Sequence, residues 1–302
     1  MLAKLLRRML LSQAIIGSLI GYFAFQGSGM PLLGMALCAL GLPVLTMITV
    51  DIVTAILSRG PEPVGLWWRA LFGEFHAGIV VFLLRQPWTT ATPAVRPATG
   101  GRAGVPGVPV VLVHGFMCNQ RLWDGVSDAL RSAGHPVLAV NLEPVFTSID
   151  NYAKVVEDAV QQLRSASGQD QVVLVGHSMG GLAIRAWMRA HGTAHAAGAI
   201  TLGTPHVGTK LGKGQHAPNG KQMEWHSPWL AQLAASESAA THALFEIAIT
   251  PQDNIVYPQR EQVLHGITPT VFDGLGHVQM CLDSTVIHWL VQRVNARNAD
   301  ET

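Results

Sequence analysis

A serine in the second half of the chain has the surroundings of a nucleophile. Ser178 lies in Gly176-His177-Ser178-Met179-Gly180, directly after the apolar run Val172–Val175 and before a helical pattern. A Gly-x-Ser-x-Gly pattern between a strand and a helix is typical of a serine held on a tight, strained turn. The glycines leave room for the neighbouring strand and helix, and the helix start directs its amides toward developing negative charge. Ser178 is therefore a candidate nucleophile.

A serine nucleophile needs a general base, and His277 is the favoured candidate among the twelve histidines that follow residue 100. It ends the segment Gly274-Leu275-Gly276-His277, just after the apolar run Thr270–Phe272. A base on a turn after the last strand can approach the serine. His191 and His195 have a spacing found in metal sites, but no third ligand is evident. We interpret them as a solvated helix end and predict no metal.

The acid that orients the base should lie between the serine and the histidine in the chain. Asp253 follows the apolar run Phe245–Ile249 and would hold the tautomer of His277 and stabilise its imidazolium form. Asp273 is the alternative, four residues before His277. It lies on the same strand end as the base, which is a less usual source of the acid. The sequence favours Asp253.

The segment His114-Gly115-Phe116 follows the first apolar run of the domain and completes the candidate site. Stabilising an oxyanion requires two backbone amides directed at one point. We predict that the amides of Phe116 and Met179 supply them. His114 would hold the loop and is not predicted to be catalytic.

These residues must be positioned by a sheet, and the sequence indicates one. Short apolar runs alternate with helical patterns from residue 108 onward, and continuous apolar strands between helices are typical of a parallel sheet buried on both faces. The predicted fold class is α/β, a mostly parallel central sheet flanked by helices. The predicted strands are Val108–Val113, Val137–Val140, Val172–Val175, Ala199–Leu202, Phe245–Ile249 and Thr270–Phe272, and the predicted helices include Ile149–Leu163 and Val286–Val294.

Residues 108–290 resemble the α/β-hydrolase fold, and within it the small bacterial lipases and esterases. The segments that carry the resemblance are Val111-Leu-Val-His-Gly-Phe116, Val175-Gly-His-Ser-Met-Gly-Gly181, Leu202-Gly-Thr-Pro-His-Val-Gly208, Asp253-Asn-Ile-Val256 and Gly276-His277. The resemblance implies hydrolysis of a carboxylic ester, of a lipid or a small molecule, through an acyl-serine intermediate and without a cofactor. An acyltransferase or thioesterase would use the same three residues. A non-catalytic interaction module is a further alternative, which the complete Ser–Asp–His set argues against.

An insertion at about 206–244 interrupts the α/β alternation. It contains four large apolar side chains that could line a substrate pocket: Trp225, Trp229, Leu230 and Leu233. Trp229 and Leu233 share one face of a helix. We predict a mobile lid over an acyl pocket, and the alternative is an ordinary covering helix.

The amino-acid composition excludes several classes of protein. The chain has 302 residues, of which 49% are apolar and 13% charged, against about 25% charged in an average soluble domain. This excludes a disordered chain, and a net charge of +1 gives no basic field for nucleic acid. Three cysteines exclude a disulfide scaffold.

The apolar excess concentrates at the start of the chain. No charged residue occurs from Met9 to Val50, and one helix of that length would measure about 63 Å, twice the roughly 30 Å of a bilayer core. Gly27-Ser28-Gly29 and Pro31 divide the stretch. We predict a transmembrane hairpin in residues 1–60, with helices at about 9–26 and 31–57. A cleaved signal peptide, giving a secreted or periplasmic enzyme, is the alternative.

The basic residues set the expected orientation. Lys4, Arg7 and Arg8 precede the hairpin and Arg59 and Arg69 follow it, so both ends should face the cytoplasm, in a bacterium at the inner membrane. Residues 61–85 are predicted to form an amphipathic helix, at the membrane interface or packed on the domain. A Pro- and Gly-rich linker at 86–107 leads to the catalytic domain, 108–302. Residues 1–104 carry a net +5, with 8 Lys/Arg and 3 Asp/Glu, which suits anionic lipid.

Overall fold

A parallel α/β domain follows three long N-terminal helices. The computed structural model describes residues 1–89, 91–101 and 107–297. Its helices are α1 (Leu2–Phe25), α2 (Pro31–Ser58), α3 (Val64–Gly78), α4 (Asp124–Ser132), α5 (Tyr152–Ser167), α6 (Met179–His191), α7 (Pro218–Gln222), α8 (Pro228–Ala235), α9 (Ala239–Ala243) and α10 (Ser284–Ala296). Its strands are β1 (Val110–Val113), β2 (Val137–Ala139), β3 (Val172–His177), β4 (Ala196–Leu202), β5 (Phe245–Ile249) and β6 (Thr270–Val271).

The sheet has the order β2-β1-β3-β4-β5-β6, and every neighbouring pair is parallel. Helices cover both faces, so β1 and β3 are buried along their whole length. This confirms the predicted fold class and the reason for it, because the apolar runs are strands enclosed on two sides. The loops at the carboxyl ends of β1, β3, β5 and β6 carry the predicted site residues, which brings them to one edge of the sheet.

The predicted boundaries needed correction in several places. β3 and β4 extend beyond the predicted runs. The helix predicted from residue 149 starts with one 3-10 turn, and its α-helical part begins at Tyr152. The first N-terminal helix begins at Leu2 rather than near residue 9, so it contains the basic residues. Leu2 and Leu6 are buried against Val145 of the domain, and this tertiary contact extends the helix past the apolar stretch.

Close glycine contacts join α1 to α2. A Cβ on Gly21 would lie 2.0 Å from the carbonyl oxygen of Gly34, and one on Gly17 would lie 2.2 Å from that of Cys38. Gly17 and Gly21 form a small-xxx-small pair, which lets membrane helices approach closely. By length and composition, three helical segments could cross a membrane: Leu2–Ser28, Pro31–Ser58 and Val64–Trp88.

The third of these segments packs on the domain while exposing an apolar face. α3 continues as a π-helix through Ile79–Arg85. Ala77 and Val81 are buried in the core cluster that contains Val110 and Leu112 of β1, whereas Trp68 and Phe72 are exposed and stack on each other. The buried face fits the interpretation of residues 61–85 as a helix packed on the domain, and a place at the membrane interface stays a prediction.

The hairpin docks on loops at the carboxyl edge of the sheet. Asn254 donates a hydrogen bond to Thr54 Oγ1 at 2.9 Å, and Gln259 donates one to the carbonyl oxygen of Ser58 at 3.0 Å. Both bonds are buried. The end of α2 therefore lies against the loop that follows β5 and contains Asp253.

The described part of the predicted linker lies along the domain. Arg96 forms an antiparallel bridge with Val137 at the edge of the sheet, and its guanidinium donates to Ser127 and Asp128 at 3.0 Å each. Part of the linker, residue 90 and residues 102–106, lies outside the described residues, as do residues 298–302 of the predicted catalytic domain.

A buried ion pair fixes the insertion to the domain. Arg185 of α6 binds both carboxylate oxygens of Glu237, at 2.7 and 2.8 Å, and donates to the carbonyl oxygen of His206 at 2.9 Å. The two side chains are 1% and 4% exposed. Removing one member of such a pair leaves an uncompensated buried charge.

We expect Arg185→Met to lower the free energy of unfolding by about 3–5 kcal/mol, or the Tm by about 6–20 °C, measured on the full chain in detergent micelles. Lys154→Met is the matched control, because the Lys154–Asp158 pair is exposed and worth less than about 1 kcal/mol. Arg185→Met/Glu237→Leu should recover most of the loss. Equal Tm values for Arg185→Met and the control would contradict this expectation.

Candidate active site

Ser178 lies at a sharp turn between β3 and α6. Its backbone has φ 55° and ψ −129°, and a positive φ strains a residue that carries a side chain. The amide of Ser178 donates to the carbonyl oxygen of Leu202 at 2.9 Å, and its own carbonyl oxygen accepts from Thr204 Oγ1 at 2.9 Å. These bonds hold the strained turn in place. A Cβ on Gly180 would lie 2.0 Å from the carbonyl oxygen of Val113, which explains the glycine of the motif.

His277 and Asp253 form a buried pair beside this turn. His277 Nδ1 lies 2.7 Å from Asp253 Oδ2, and both side chains are at most 5% exposed. The other carboxylate oxygen of Asp253 accepts the amides of Ile255 and Val256 at 2.8 and 2.7 Å. Asp273, the alternative acid, is exposed. The geometry therefore favours Asp253 as the partner of His277.

The surroundings of His277 adjust its basicity. Burial lowers the pKa of His277, but the charge of Asp253, its hydrogen bond and the charge of Glu74 outweigh burial and raise the pKa above its ordinary value. With Asp253 at Nδ1, the other ring nitrogen, Nε2, is the one that can exchange a proton. This is the arrangement that a general base beside a serine requires.

The loop after β1 lies against Ser178, and two backbone amides near the serine are available. A Cβ on Gly115 would lie 2.7 Å from the Cβ of Ser178, so this loop lies directly against the serine. Among the described residues, the amides of Phe116 and Met179 donate no hydrogen bond to another protein group. Met179 is the first residue of α6, where the helix dipole favours negative charge. Both amides are thus free to bind an oxyanion.

His114 is buried and serves the loop. Its Nε2 accepts the amide of Leu142 at 3.0 Å, and its Nδ1 lies 2.8 Å from the carbonyl oxygen of Gly115. Burial lowers the pKa of His114 to about 4, so the ring is neutral, with the proton on Nδ1. The side chain joins the loops after β1 and β2, in line with the predicted structural role.

A family model described as "Alpha/beta hydrolase family" matches residues 110–297. The chain belongs to the alpha/beta hydrolase family. The match covers the six strands and both the serine turn and the His277 loop. It confirms the resemblance found in the sequence.

Two curated bacterial lipases are similar to part of this chain. A triacylglycerol lipase of Pseudarthrobacter phenanthrenivorans is 35% identical over 112 residues, which are 34% of this chain and 34% of that protein. A triacylglycerol lipase of Burkholderia plantarii is 35% identical over 112 residues, 34% of this chain and 31% of that protein. The chain thus matches about a third of the length of these relatives.

Solved lipase structures share the fold. Aspergillus fumigatus lipase B superposes with a TM-score of 0.55 at 15% identity, covering 67% of this chain and 56% of that one. The mature Bacillus licheniformis lipase BlEst2 gives 0.51 at 15% identity, covering 65% and 96%. At this identity the likeness shows the fold alone.

The four predicted lid residues of the hydrolase domain lie in a packed segment. Leu230 and Leu233 of α8 are buried, and Trp229 donates its indole N–H to Asp150 at 3.0 Å. Trp225 is partly buried, and Lys210 lies over its ring at 5.8 Å. These positions favour the covering-helix alternative, and lid opening stays a prediction.

Two residues that no sequence pattern indicates contact the site. Asn219 of α7 is fully buried, donates to the carbonyl oxygen of Val145 at 2.7 Å and lies 3.7 Å from Met179 Sδ. His177, the variable residue of the serine motif, places Nε2 3.1 Å from the carbonyl oxygen of His277. Burial lowers the pKa of His177 well below its ordinary value, so the neutral ring donates this bond. Among the described residues, no cluster of three metal-ligating side chains occurs.

Proposed function

We propose that the chain is a membrane-anchored serine hydrolase that cleaves carboxylic esters of lipids. The observation that carries the proposal is the buried Asp253–His277 pair beside the strained turn of Ser178, with the amides of Phe116 and Met179 unoccupied. Family membership and the similarity to curated lipases support the same reaction class.

The reaction proceeds through an acyl-serine intermediate. His277 Nε2 takes the proton of Ser178 Oγ as that oxygen attacks the ester carbonyl, and the amides of Phe116 and Met179 bind the oxyanion. The tetrahedral intermediate collapses, the alcohol leaves with the proton from His277, and the acyl group stays on Ser178. Water, deprotonated by His277, then attacks the acyl-serine. His277 returns that proton to Ser178 Oγ as the bond to the serine breaks and the carboxylic acid leaves.

Membrane insertion of the hairpin is supported by its surface. Large apolar side chains are exposed along both helices, among them Ile15, Leu19, Phe23, Leu32, Leu40 and Ile56. Such a continuous apolar surface on a soluble protein would be an aggregation hazard. Because basic residues flank both ends of the hairpin, we expect the catalytic domain at the cytoplasmic face.

An apolar cavity between the three helices supports a lipid substrate. It measures about 240 Å³ and is lined by α1, α2 and α3, by side chains such as Met47 and Phe82, and by Met117. Met117 directly follows Phe116, the proposed oxyanion donor. Pockets that hold a whole ligand span roughly 300–1,000 Å³. This cavity is smaller, so it suits a single acyl chain that enters from the bilayer. Two carboxyl side chains also line the cavity, Asp51 of α2 and Glu74 of α3, so Asp51 faces the partner helices.

Hydrolysis of esters by the full-length chain in phospholipid vesicles tests the proposal. We expect turnover of p-nitrophenyl esters, with long acyl chains preferred over short ones, and release of fatty acid from emulsified triglyceride. Phe82→Trp, which fills the cavity, should reduce long-chain turnover more than short-chain turnover. Equal reduction on both chain lengths would contradict an acyl site there. Faster turnover of thioesters than of esters would favour the thioesterase alternative.

A further inference from the structure

We propose that Glu74 of α3 is a positioning residue for the catalytic base, so that a helix of the membrane-anchoring region holds the His277 loop. This inference rests on the proposed function, because it assigns a role relative to His277 as the base. Glu74 lies about 200 positions before His277 in the chain.

Both carboxylate oxygens of Glu74 bind the loop. Oε1 accepts the amide of Val278 at 3.0 Å, and Oε2 accepts the amide of Gln279 at 2.9 Å. These are the two residues that directly follow His277. The side chain is 5% exposed, and two charge-assisted bonds in a buried place fix backbone orientation strongly.

The contact between α3 and the loop is close along its length. A Cβ on Gly276 would lie 2.5 Å from the Cβ of Glu74, and one on Gly73 would lie 2.1 Å from Gln279 Oε1. That Gln279 oxygen accepts the amide of Gly276 at 2.9 Å. The close packing therefore allows the loop only one position against α3, and the hydrogen bonds of the Glu74 carboxylate hold it there.

His277 is held on its other side as well. Asp253 binds the ring at Nδ1, and His177 donates to the carbonyl oxygen of His277. Glu74 thus fixes the backbone of the two residues that follow His277. Without it, the ring would keep its partner but lose a fixed direction toward Ser178, and misplacement by about 1 Å can cost roughly 10²-fold in rate.

The carboxylate also contributes charge. The groups that face His277 are Asp253 from the β5 loop, His177 from β3 and Glu74 from α3, while Asp51, Cys118 and Cys281 lie near Glu74. Burial lowers the pKa of His277, and Asp253 and Glu74 raise it. Removing the charge of Glu74 lowers that pKa, so the base stays neutral, and active, at lower pH.

Glu74→Gln tests the proposal, with kcat and KM for a p-nitrophenyl ester followed against pH on the full chain in detergent micelles. We expect kcat to fall about 10- to 100-fold with KM changed less than about 3-fold, and the acid limb of kcat/KM to move to lower pH. A merely structural contact would not move that limb. Glu74→Asp keeps the charge, so its acid limb should stay with the wild type.

Two further variants separate the contact from the charge. Gly276→Ala introduces a methyl group against Glu74 and should lower kcat without moving the acid limb. Glu246→Gln removes a carboxylate that binds Arg297, away from the site, and should match the wild type. The role of Glu74 is overturned if Glu74→Gln, folded by its Tm, keeps the kcat and acid limb of an active wild type. A wild type without hydrolysis or serine labelling would contradict the proposed function as well.

Discussion

Ser178→Ala is expected to abolish ester hydrolysis and labelling by a fluorophosphonate probe. In the proposed mechanism the hydroxyl oxygen of Ser178 becomes acylated, and removal of a serine nucleophile costs about 10⁶-fold in kcat. The substitution removes one oxygen at a turn held by backbone bonds and by Thr204. The fold and the Tm should therefore change little. Active-site labelling on a gel and single-turnover hydrolysis measure the two losses.

Ser132→Ala is the matched control, because Ser132 is an exposed serine at the end of α4. It should keep both hydrolysis and label. Equal labelling of Ser178→Ala and the wild type would contradict the assignment of the nucleophile. No labelling of a folded wild type would instead support the non-catalytic alternative.

The second large effect is expected from Asp253→Asn, with a loss of about 10⁴-fold in kcat. The carboxylate holds the Nδ1 proton of His277, and an amide in its place can donate to Nδ1, so Nε2 carries the proton and cannot act as base. Because Asp253 and His277 are buried, water cannot replace the carboxylate as the acceptor of the Nδ1 proton. Because Asp253 raises the pKa of His277, the acid limb of the residual activity should move to lower pH.

Asp273→Asn is the control for this prediction. Asp273 is exposed and lies outside the pair, so its variant should retain activity within about 2-fold and keep the wild-type pH profile, by the small effect usual for surface changes. A large loss of kcat in Asp273→Asn alone would reassign the acid. Steady-state kinetics of both variants across pH decide between them.

The fold and the core of the site follow from local patterns in the sequence. Apolar runs such as Val172–Val175 predict buried parallel strands, and catalytic loops follow such strands at their carboxyl ends. Ser178, Asp253 and His277 each lie just after a run of this kind. The parallel topology brings the loops that carry them to one edge of the sheet, where Asp253 and His277, 24 positions apart in the chain, are in contact.

The features that sequence patterns do not predict are contacts between segments that are distant in the chain. In the sequence, Glu74 is one of several polar residues of an amphipathic helix, and its role is visible only when α3 is placed against the His277 loop. Asn219 lies in a segment with no periodic pattern. The extension of α1 to Leu2 depends on a contact with Val145. No local spacing encodes these partners, because each contact joins elements that are far apart in the chain.

The burial of Ala77 and Val81 beside β1 has a consequence for any attempt to make a water-soluble fragment. These side chains share a core cluster with Val110 and Leu112, so a protein cut back to the catalytic domain would present one face of β1 to water. Such a fragment would lack the hydrogen bonds of Glu74 to the His277 loop. It would also expose an apolar surface that favours aggregation. The N-terminal helices are thus part of the folding unit, and purification should keep residues 1–85 and supply detergent for their exposed apolar surface.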